Sequence, residues 1–228
     1  MATPKPEVQK APLIQKPNLV PEALQTGEEL IDCVERAEGD PIADRLFSGM
    51  EAAWASADGL EMRGCSLRGC ELRGASLKRA SFVDVEFVRC DFSNARLSDA
   101  FFQRVRFVEC KLLGADLDGA RIRHVSFADC LLRMANFSSA KVEDACFLRC
   151  DLTEAALREL RSFKRVAFTE CNLRRAELAG TRLSGVDLTT CEIGGAVWTA
   201  GLPEVRGAIV TPLQAIELAQ SLGVVLRE

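Results

Sequence analysis

The sequence lacks the features of a membrane-spanning or exported chain. No apolar run approaches the roughly 18 residues that a membrane-spanning helix requires. The first 20 residues do not combine a basic start with an apolar middle, as a signal peptide does. We therefore expect a cytoplasmic protein without membrane association.

Residues that would support catalysis are also scarce. The single histidine, His124, occupies an outward position of its sequence unit, where we expect a solvated side chain, so neither a His-based triad nor a His-rich metal site is expected. Gly64, Gly69 and Gly74 are five residues apart and match no phosphate-binding loop. We accordingly predict no enzyme activity, no catalytic residue, no cofactor and no metal site.

The ten cysteines show no CxxC spacing. Seven of them recur about every 20 residues: Cys70, Cys90, Cys110, Cys130, Cys150, Cys171 and Cys191. We interpret them as free thiols that fill small holes in an interior. Cys33, Cys65 and Cys146 lie outside this series and belong to no recognisable motif.

The dominant pattern is a repeat of five residues between Glu61 and Thr199, in which one large apolar residue follows a small residue by two positions. A period of five fits neither a helix nor an alternating strand. It predicts stacked units that bury their apolar faces only against their neighbours. One extra residue within Arg158–Ser162 shifts the phase once.

The 20-residue period of the cysteines spans four such units. A companion series of large residues has the same period: Leu67, Phe87, Phe107, Phe127, Phe147, Phe168 and Leu188. If like side chains stack, four units form one turn of a four-sided coil. The repeat then makes about seven coils, with the roughly 4.8 Å rise of paired strands for each coil.

The units Cys90-Asp91-Phe92, Ala115-Asp116-Leu117 and Ala135-Asn136-Phe137 resemble the consensus of the pentapeptide-repeat family. This resemblance implies an all-β fold, a right-handed quadrilateral β-helix. In that fold the large and small residues face inward and the other three residues of each unit face solvent.

Four regions follow from these patterns. Residues 1–40 form an N-terminal extension, proline-rich and predicted to be disordered up to Pro21, then acidic with a possible short helix. Residues 41–60 are a degenerate coil or an N-terminal cap, with Trp54 expected to cover the open end of the core. Residues 61–199 form the β-helix, and residues 200–228 form a C-terminal helical module.

In the C-terminal module, Thr211 is the predicted N-cap, Pro212 the first helical residue and Gly223 the stop signal. The ending resembles that of Qnr-type quinolone-resistance proteins, in which such a helix implies a two-fold dimer. The module either caps the core or dimerises, and the two roles are compatible. The predicted dimer interface consists of Leu213, Ile216, Ala219, Leu222, Val224, Val225 and Leu226.

The Qnr-type resemblance also implies a rod that imitates DNA and binds a type II topoisomerase, which requires negative charge along the column. From 61 to 198 there are 22 Lys and Arg against 19 Asp and Glu, so the column carries a net charge near +3. One side is enriched in basic residues: Arg104, Arg121, Arg123, Lys141, Lys164, Arg165 and Arg182. This basic face is either a solvated surface or a contact for an acidic partner or nucleic acid.

Two functions follow. The preferred one is a non-enzymatic rod whose rigid surface binds another protein, and the alternative is a Qnr-type protein that binds and protects DNA gyrase or topoisomerase IV. We expect a homodimer and an unidentified protein partner, whereas direct nucleic-acid binding is disfavoured.

Overall fold

A computed structural model describes residues 12–20, 40–225 and 227. The predicted short helix between 22 and 40 and the interface residue Leu226 lie outside the described residues. The strands are β1 (Ile42–Ala43), β2 (Leu46–Ser48), β3 (Glu61–Arg63), β4 (Ser66–Arg68), β5 (Ser81–Val88), β6 (Phe101–Val108), β7 (Arg121–Ala128), β8 (Lys141–Leu148) and β9 (Ser162–Thr169). A 3-10 turn, Pro203–Val205, precedes helix α1 (Pro212–Ser221). Among the described helices, none is long and apolar enough to cross a membrane.

The strands form a parallel β-solenoid, which confirms the predicted fold. Each coil pairs with the next at an offset of 20 residues, as in Phe87 with Phe107 and Phe107 with Phe127. On the longest path, β1-β3-β5-β6-β7-β8-β9, β1 lies before the predicted repeat, and the six strands from β3 onward make about six turns, slightly fewer than the seven predicted. The count differs because continuous strands end at β9, after which isolated bridges such as Asn172 to Glu192 join the coils.

The coil turns at corners that recur every five residues and have positive φ. In one coil these corners are Asp84, Arg89, Asn94 and Asp99, with φ between 53° and 58°. Asp and Asn tolerate this left-handed conformation better than most residues. The corner amides remain hydrogen-bonded, since each donates to a carbonyl of the next coil, as Arg89 does to Val108 over 2.8 Å. Four corners per coil give the predicted four-sided section.

Identical side chains stack through the interior. The Phe107 and Phe127 rings lie 4.8 Å apart with an angle of 6° between their planes, and Phe127 and Phe147 repeat this stack at 4.8 Å and 4°. The spacing equals the separation of paired strands, so the backbone ladder itself sets the ring stacking. This apolar column is part of the buried core that stabilises the solenoid.

The seven cysteines that recur about every 20 residues, which we call the thiol ladder, also lie in the interior. All described cysteines are free. Cys33 lies outside the described residues. Five of the seven thiols, from Cys90 to Cys171, donate to a buried carbonyl of the preceding coil: Cys110 Sγ donates to the Phe87 carbonyl at 3.4 Å, and Cys90 Sγ to that of Leu67 at 3.3 Å. Outside the ladder, burial raises the pKa of the Cys65 and Cys146 thiols, which disfavours the reactive thiolate.

The N-terminal coil begins before the clear repeat. Ile42 pairs with Met62, and Phe47 pairs with Leu67 and is buried. Trp54 does not cover the open end of the core as predicted: it sits at a corner with φ 62° and is 76% exposed. Its ring lies against Gly74, where an added Cβ would collide with it. Trp54 therefore packs outside the coil, in space that the glycine leaves free.

The extra residue near Arg161 changes the pairing offset from 20 to 21. Lys141 pairs with Ser162, and Phe147 pairs with Phe168. The insertion lies between β8 and β9 and does not interrupt their pairing. The two strands pair both before and after the corner formed by Asp144 and Arg165. The inward phase is regained by Val166 and Phe168, which are buried, whereas Phe163 beside the insertion is only partly buried.

The C-terminal module caps the last coil. Thr211 is the N-cap and Pro212 the first helical residue, as predicted, and Gln214 completes a capping box with Thr211. Gln214 is buried, and its Nε2 donates to the carbonyls of Leu188 and Cys191, each over 2.8 Å. One amide thus caps the helix and satisfies two carbonyls of the coil beneath.

A second buried side chain, Glu204, lies at the C-terminal end of the solenoid, next to the coil that contains Gly180 and Leu183. Its Oε1 accepts the backbone N–H of Gly180 over 2.8 Å, and its own carbonyl accepts that of Leu183 over 3.0 Å. Glu204 thereby supplies acceptors to amides that would otherwise lack a coil above them.

Replacing Gln214 by Glu should lower the free energy of unfolding by about 2–4 kcal/mol. The carboxylate can still accept from Thr211, but it cannot donate to the carbonyls of Leu188 and Cys191 and would repel them. Thermal and urea unfolding would measure the loss. Gln220→Glu, the same change at an exposed position of α1, is the control. Equal stability of both variants would contradict the capping role.

Candidate interaction surfaces

The first surface is the corner row that the N-terminal segment covers. We call residues 12–20 the strap, and the successive corners Asp84, Arg104, His124 and Asp144 the strap corner. The backbone N–H of Asn18 donates to Asp84 Oδ1 over 2.9 Å, and His124 Nδ1 lies 2.8 Å from the Leu13 carbonyl oxygen. Since a carbonyl only accepts, Nδ1 carries the proton.

For residues 12–20, the structure therefore differs from the predicted disorder. It also corrects the expectation of a solvated His124, which is only 8% exposed. His124 does occupy an outward position of its repeat unit, but the strap covers it. Sequence periodicity gave no sign of this contact, because the strap lies outside the repeat and binds through its backbone.

Ion pairs between successive coils hold the strap corner. Arg104 donates to both oxygens of Asp84, over 2.7 and 2.6 Å, and Arg165 donates to both oxygens of Asp144, over 2.5 and 2.7 Å. The guanidinium of Arg104 lowers the pKa of Asp84, and that of Arg165 lowers the pKa of Asp144. Both carboxylates therefore stay charged and oriented near neutral pH.

The second surface is the predicted basic face. Arg104 and Arg165 are corner residues paired with aspartates, so their charges are neutralised locally. The remaining five, Arg121, Arg123, Lys141, Lys164 and Arg182, are exposed. Arg121 pairs in register with Lys141, whereas Glu143 separates Arg123 from Lys164. The strongest positive patch thus lies around Arg121, Arg123 and Lys141.

The third surface is the apolar side of the C-terminal module. Its exposed fractions are 68% for Leu213, 43% for Ile216, 54% for Leu222, 48% for Val224 and 84% for Val225. Ala219 is half-buried, and Leu218 packs against the core. The module therefore caps the coil with one side and leaves most of the predicted dimer residues uncovered.

A polar cleft of about 890 Å³ lies where α1 meets the solenoid. Its charged lining consists of Arg133, Arg174, Arg175, Asp151, Glu154 and Glu217. The two signs balance, and Arg175 is paired with Glu154 at 3.1 Å. Within the described part of the chain, no cluster of His, Cys, Asp and Glu could hold a metal ion. The cleft thus offers no strongly charged ligand site.

The chain is similar to several solved structures. A trypsin-treated form of QnrB1, a plasmid-mediated fluoroquinolone resistance protein, is 22% identical with a TM-score of 0.43, and the match covers 84% of this chain and 92% of that one. HetL, a pentapeptide repeat protein involved in heterocyst differentiation regulation in the cyanobacterium Nostoc, is 17% identical with a TM-score of 0.40, covering 81% and 98%. A comparison with curated proteins gives no significant match.

Family models match the repeat directly. A pentapeptide repeat region model matches residues 60–137 and 80–157, and a model of eight pentapeptide repeats matches residues 162–196. Together they cover more than half of the chain and the same units that form the solenoid. The chain therefore belongs to the pentapeptide repeat family.

Proposed function

We propose that this pentapeptide-repeat protein is a non-enzymatic rod that presents a rigid surface to a protein partner. The main observation that supports this proposal is the filled interior of the solenoid. Stacked side chains such as Phe107, Leu112 and Leu117 are at most 1% exposed there. An interior packed in this way offers no room for a substrate, so recognition would take place on the outside. The continuous parallel ladder from β5 to β9 supports the rigidity of that outside.

The basic patch around Arg121, Arg123 and Lys141 is our proposed partner contact. Arg121 and Lys141 are adjacent in register on paired strands, so their side chains start about one strand spacing apart. Both side chains are exposed. Like charges held so close favour a partner that supplies carboxylates.

Reversing the patch with Arg121→Glu and Lys141→Glu should abolish partner capture, measured by affinity purification with quantitative mass spectrometry. Arg96→Glu with Lys111→Glu is the matched control, since it makes the same charge change at exposed residues on other sides of the solenoid. A protein retained by the wild-type chain and by the control, but lost with the reversed patch, is the expected result. A capture profile that the reversed patch leaves unchanged would contradict this contact.

We further propose that the rod is a homodimer through the C-terminal module. An isologous contact needs one self-complementary patch, and Leu213, Ile216 and Leu222 supply exposed apolar surface on the rigidly capped helix. Because Gln214 anchors the helix to the coil, this patch is presented in a fixed orientation.

Leu213→Glu with Ile216→Glu should convert the dimer to a monomer, measured by light scattering across a wide concentration range. Buried charges would oppose association without disturbing Gln214. Leu113→Glu with Leu131→Glu, at residues 38% and 47% exposed on the solenoid, should leave the dimer intact. A wild-type chain that is monomeric throughout would refute the proposal.

The alternative function, binding and protection of DNA gyrase or topoisomerase IV, rests on the Qnr-type resemblance of the C-terminal module. Charge opposes it: the column is near +3, and acids such as Asp84, Asp129 and Asp144 are paired with arginines of the next coil. A DNA-like surface needs uncompensated negative charge.

A gyrase supercoiling assay, titrated with the protein in the presence and absence of a quinolone, distinguishes the two functions. We expect unchanged supercoiling and no protection, because the column carries a net positive charge and several of its carboxylates are paired with arginines. Restored supercoiling in drug-inhibited reactions would replace the scaffold proposal with the alternative.

A further inference from the structure

We propose that the strap corner is a binding site for an extended, proline-containing peptide segment of a partner protein, and that the strap occupies it as an intramolecular competitor. The site adjoins the basic patch, since Arg123 directly precedes His124 in β7, and is distinct from the C-terminal module. Its recognition elements are the Asp84 carboxylate and the His124 imidazole, which bind the strap backbone two coils apart.

The strap has the pattern of a peptide ligand. Pro12, Ile14, Pro17 and Leu19 are half-buried, whereas the other residues of the strap, Leu13, Gln15, Lys16, Asn18 and Val20, are exposed. This near-alternation is typical of an extended segment with one side on a surface. The prolines restrict the free segment to extended conformations and so reduce the entropy lost on binding.

The strap corner is specifically covered. In the matching corner row one side further along the coil, Arg89, Glu109, Asp129 and Arg149 are all exposed. In the strap corner, by contrast, His124 and Asp144 are 8% and 3% exposed. Both rows have the same backbone geometry. The deeper burial of His124 and Asp144 therefore results from the side-chain contacts of the strap corner and from the strap that lies over it.

The site is held in place by the solenoid itself. Arg104 holds both oxygens of Asp84, and Arg165 holds both oxygens of Asp144. Each ion pair joins two adjacent coils whose strands are paired, β5 with β6 and β8 with β9. Departure of the strap would leave acceptor and donor where they are, ready for another peptide.

Both recognised strap groups belong to the main chain. Asp84 accepts an N–H and His124 donates to a carbonyl, so any extended segment offers the same groups. Sequence preference would come from the inward positions, which in the strap hold proline, isoleucine and leucine. The fitting partner is thus an extended segment with apolar residues and prolines at these positions.

The chemical reactivity of His124 tests whether the strap covers this side chain, because His124 is the only histidine of the chain. Ile14→Asp with Asn18→Pro in the full-length protein removes an inward apolar group and the N–H donated to Asp84, and alters nothing in the solenoid. His124 should then react with diethyl pyrocarbonate several-fold faster than in the wild type. Asn18→Ala, which keeps the N–H, should react at the wild-type rate. Equal reaction rates of His124 in all three chains would contradict the proposal that the strap covers it.

A labelled peptide with the sequence of residues 12–20 tests the site. It should bind the released-strap variant saturably and protect His124. It should bind the wild type roughly tenfold or more weakly, since a tethered competitor acts at high effective concentration. A peptide with proline in place of Asn18 should bind weakly to both. Equal binding of the natural peptide to both proteins, or equal binding of the two peptides, would refute the proposal.

Discussion

Vertical stacking of like residues at one strand spacing is the interaction on which this structure depends. The backbone ladder places residue n beneath residue n+20, so every side chain meets the same position of the next coil. Inside, this produces the phenylalanine stack and the thiol ladder. Outside, it produces the pairs of Asp84 with Arg104 and of Asp129 with Arg149. A single constraint thus organises both the core and the surface charge.

The periodicity of the sequence reveals the inside of the solenoid. Only small side chains fit one inward position and only large apolar ones the other, so the five-residue pattern predicts the fold, the parallel register and the buried cysteines. Coil boundaries are harder to predict, because Ile42 and Phe47 occupy inward positions in a stretch with no clear repeat. Trp54 breaks the rule that a large apolar residue lies inside, since Gly74 makes room for it at a corner.

The exterior follows no such restriction, which is why the sequence predicts candidate sites less well. Charge counting found the basic face, but only the structure separates corner arginines engaged by aspartates from the exposed Arg121, Arg123 and Lys141. The strap contact escaped prediction because its hydrogen bonds use backbone groups that every residue possesses. The two donations of Gln214 to coil carbonyls were hidden likewise, although the sequence predicts the start of its helix at Thr211 and Pro212.

The single inserted residue before β9 shows how such a chain can change length over evolutionary time. Across the insertion, β8 and β9 still pair from Lys141 with Ser162 to Leu148 with Thr169, and Phe147 still stacks on Phe168. A chain can therefore accept one extra residue between coils without losing strand pairing, although Phe163 beside the insertion is only partly buried. Duplication or deletion of a whole coil would preserve the phase as well, changing the rod by roughly 4.8 Å. The length of the rod is thus a heritable trait that can vary in small, equal steps while its ends and its cross-section stay the same.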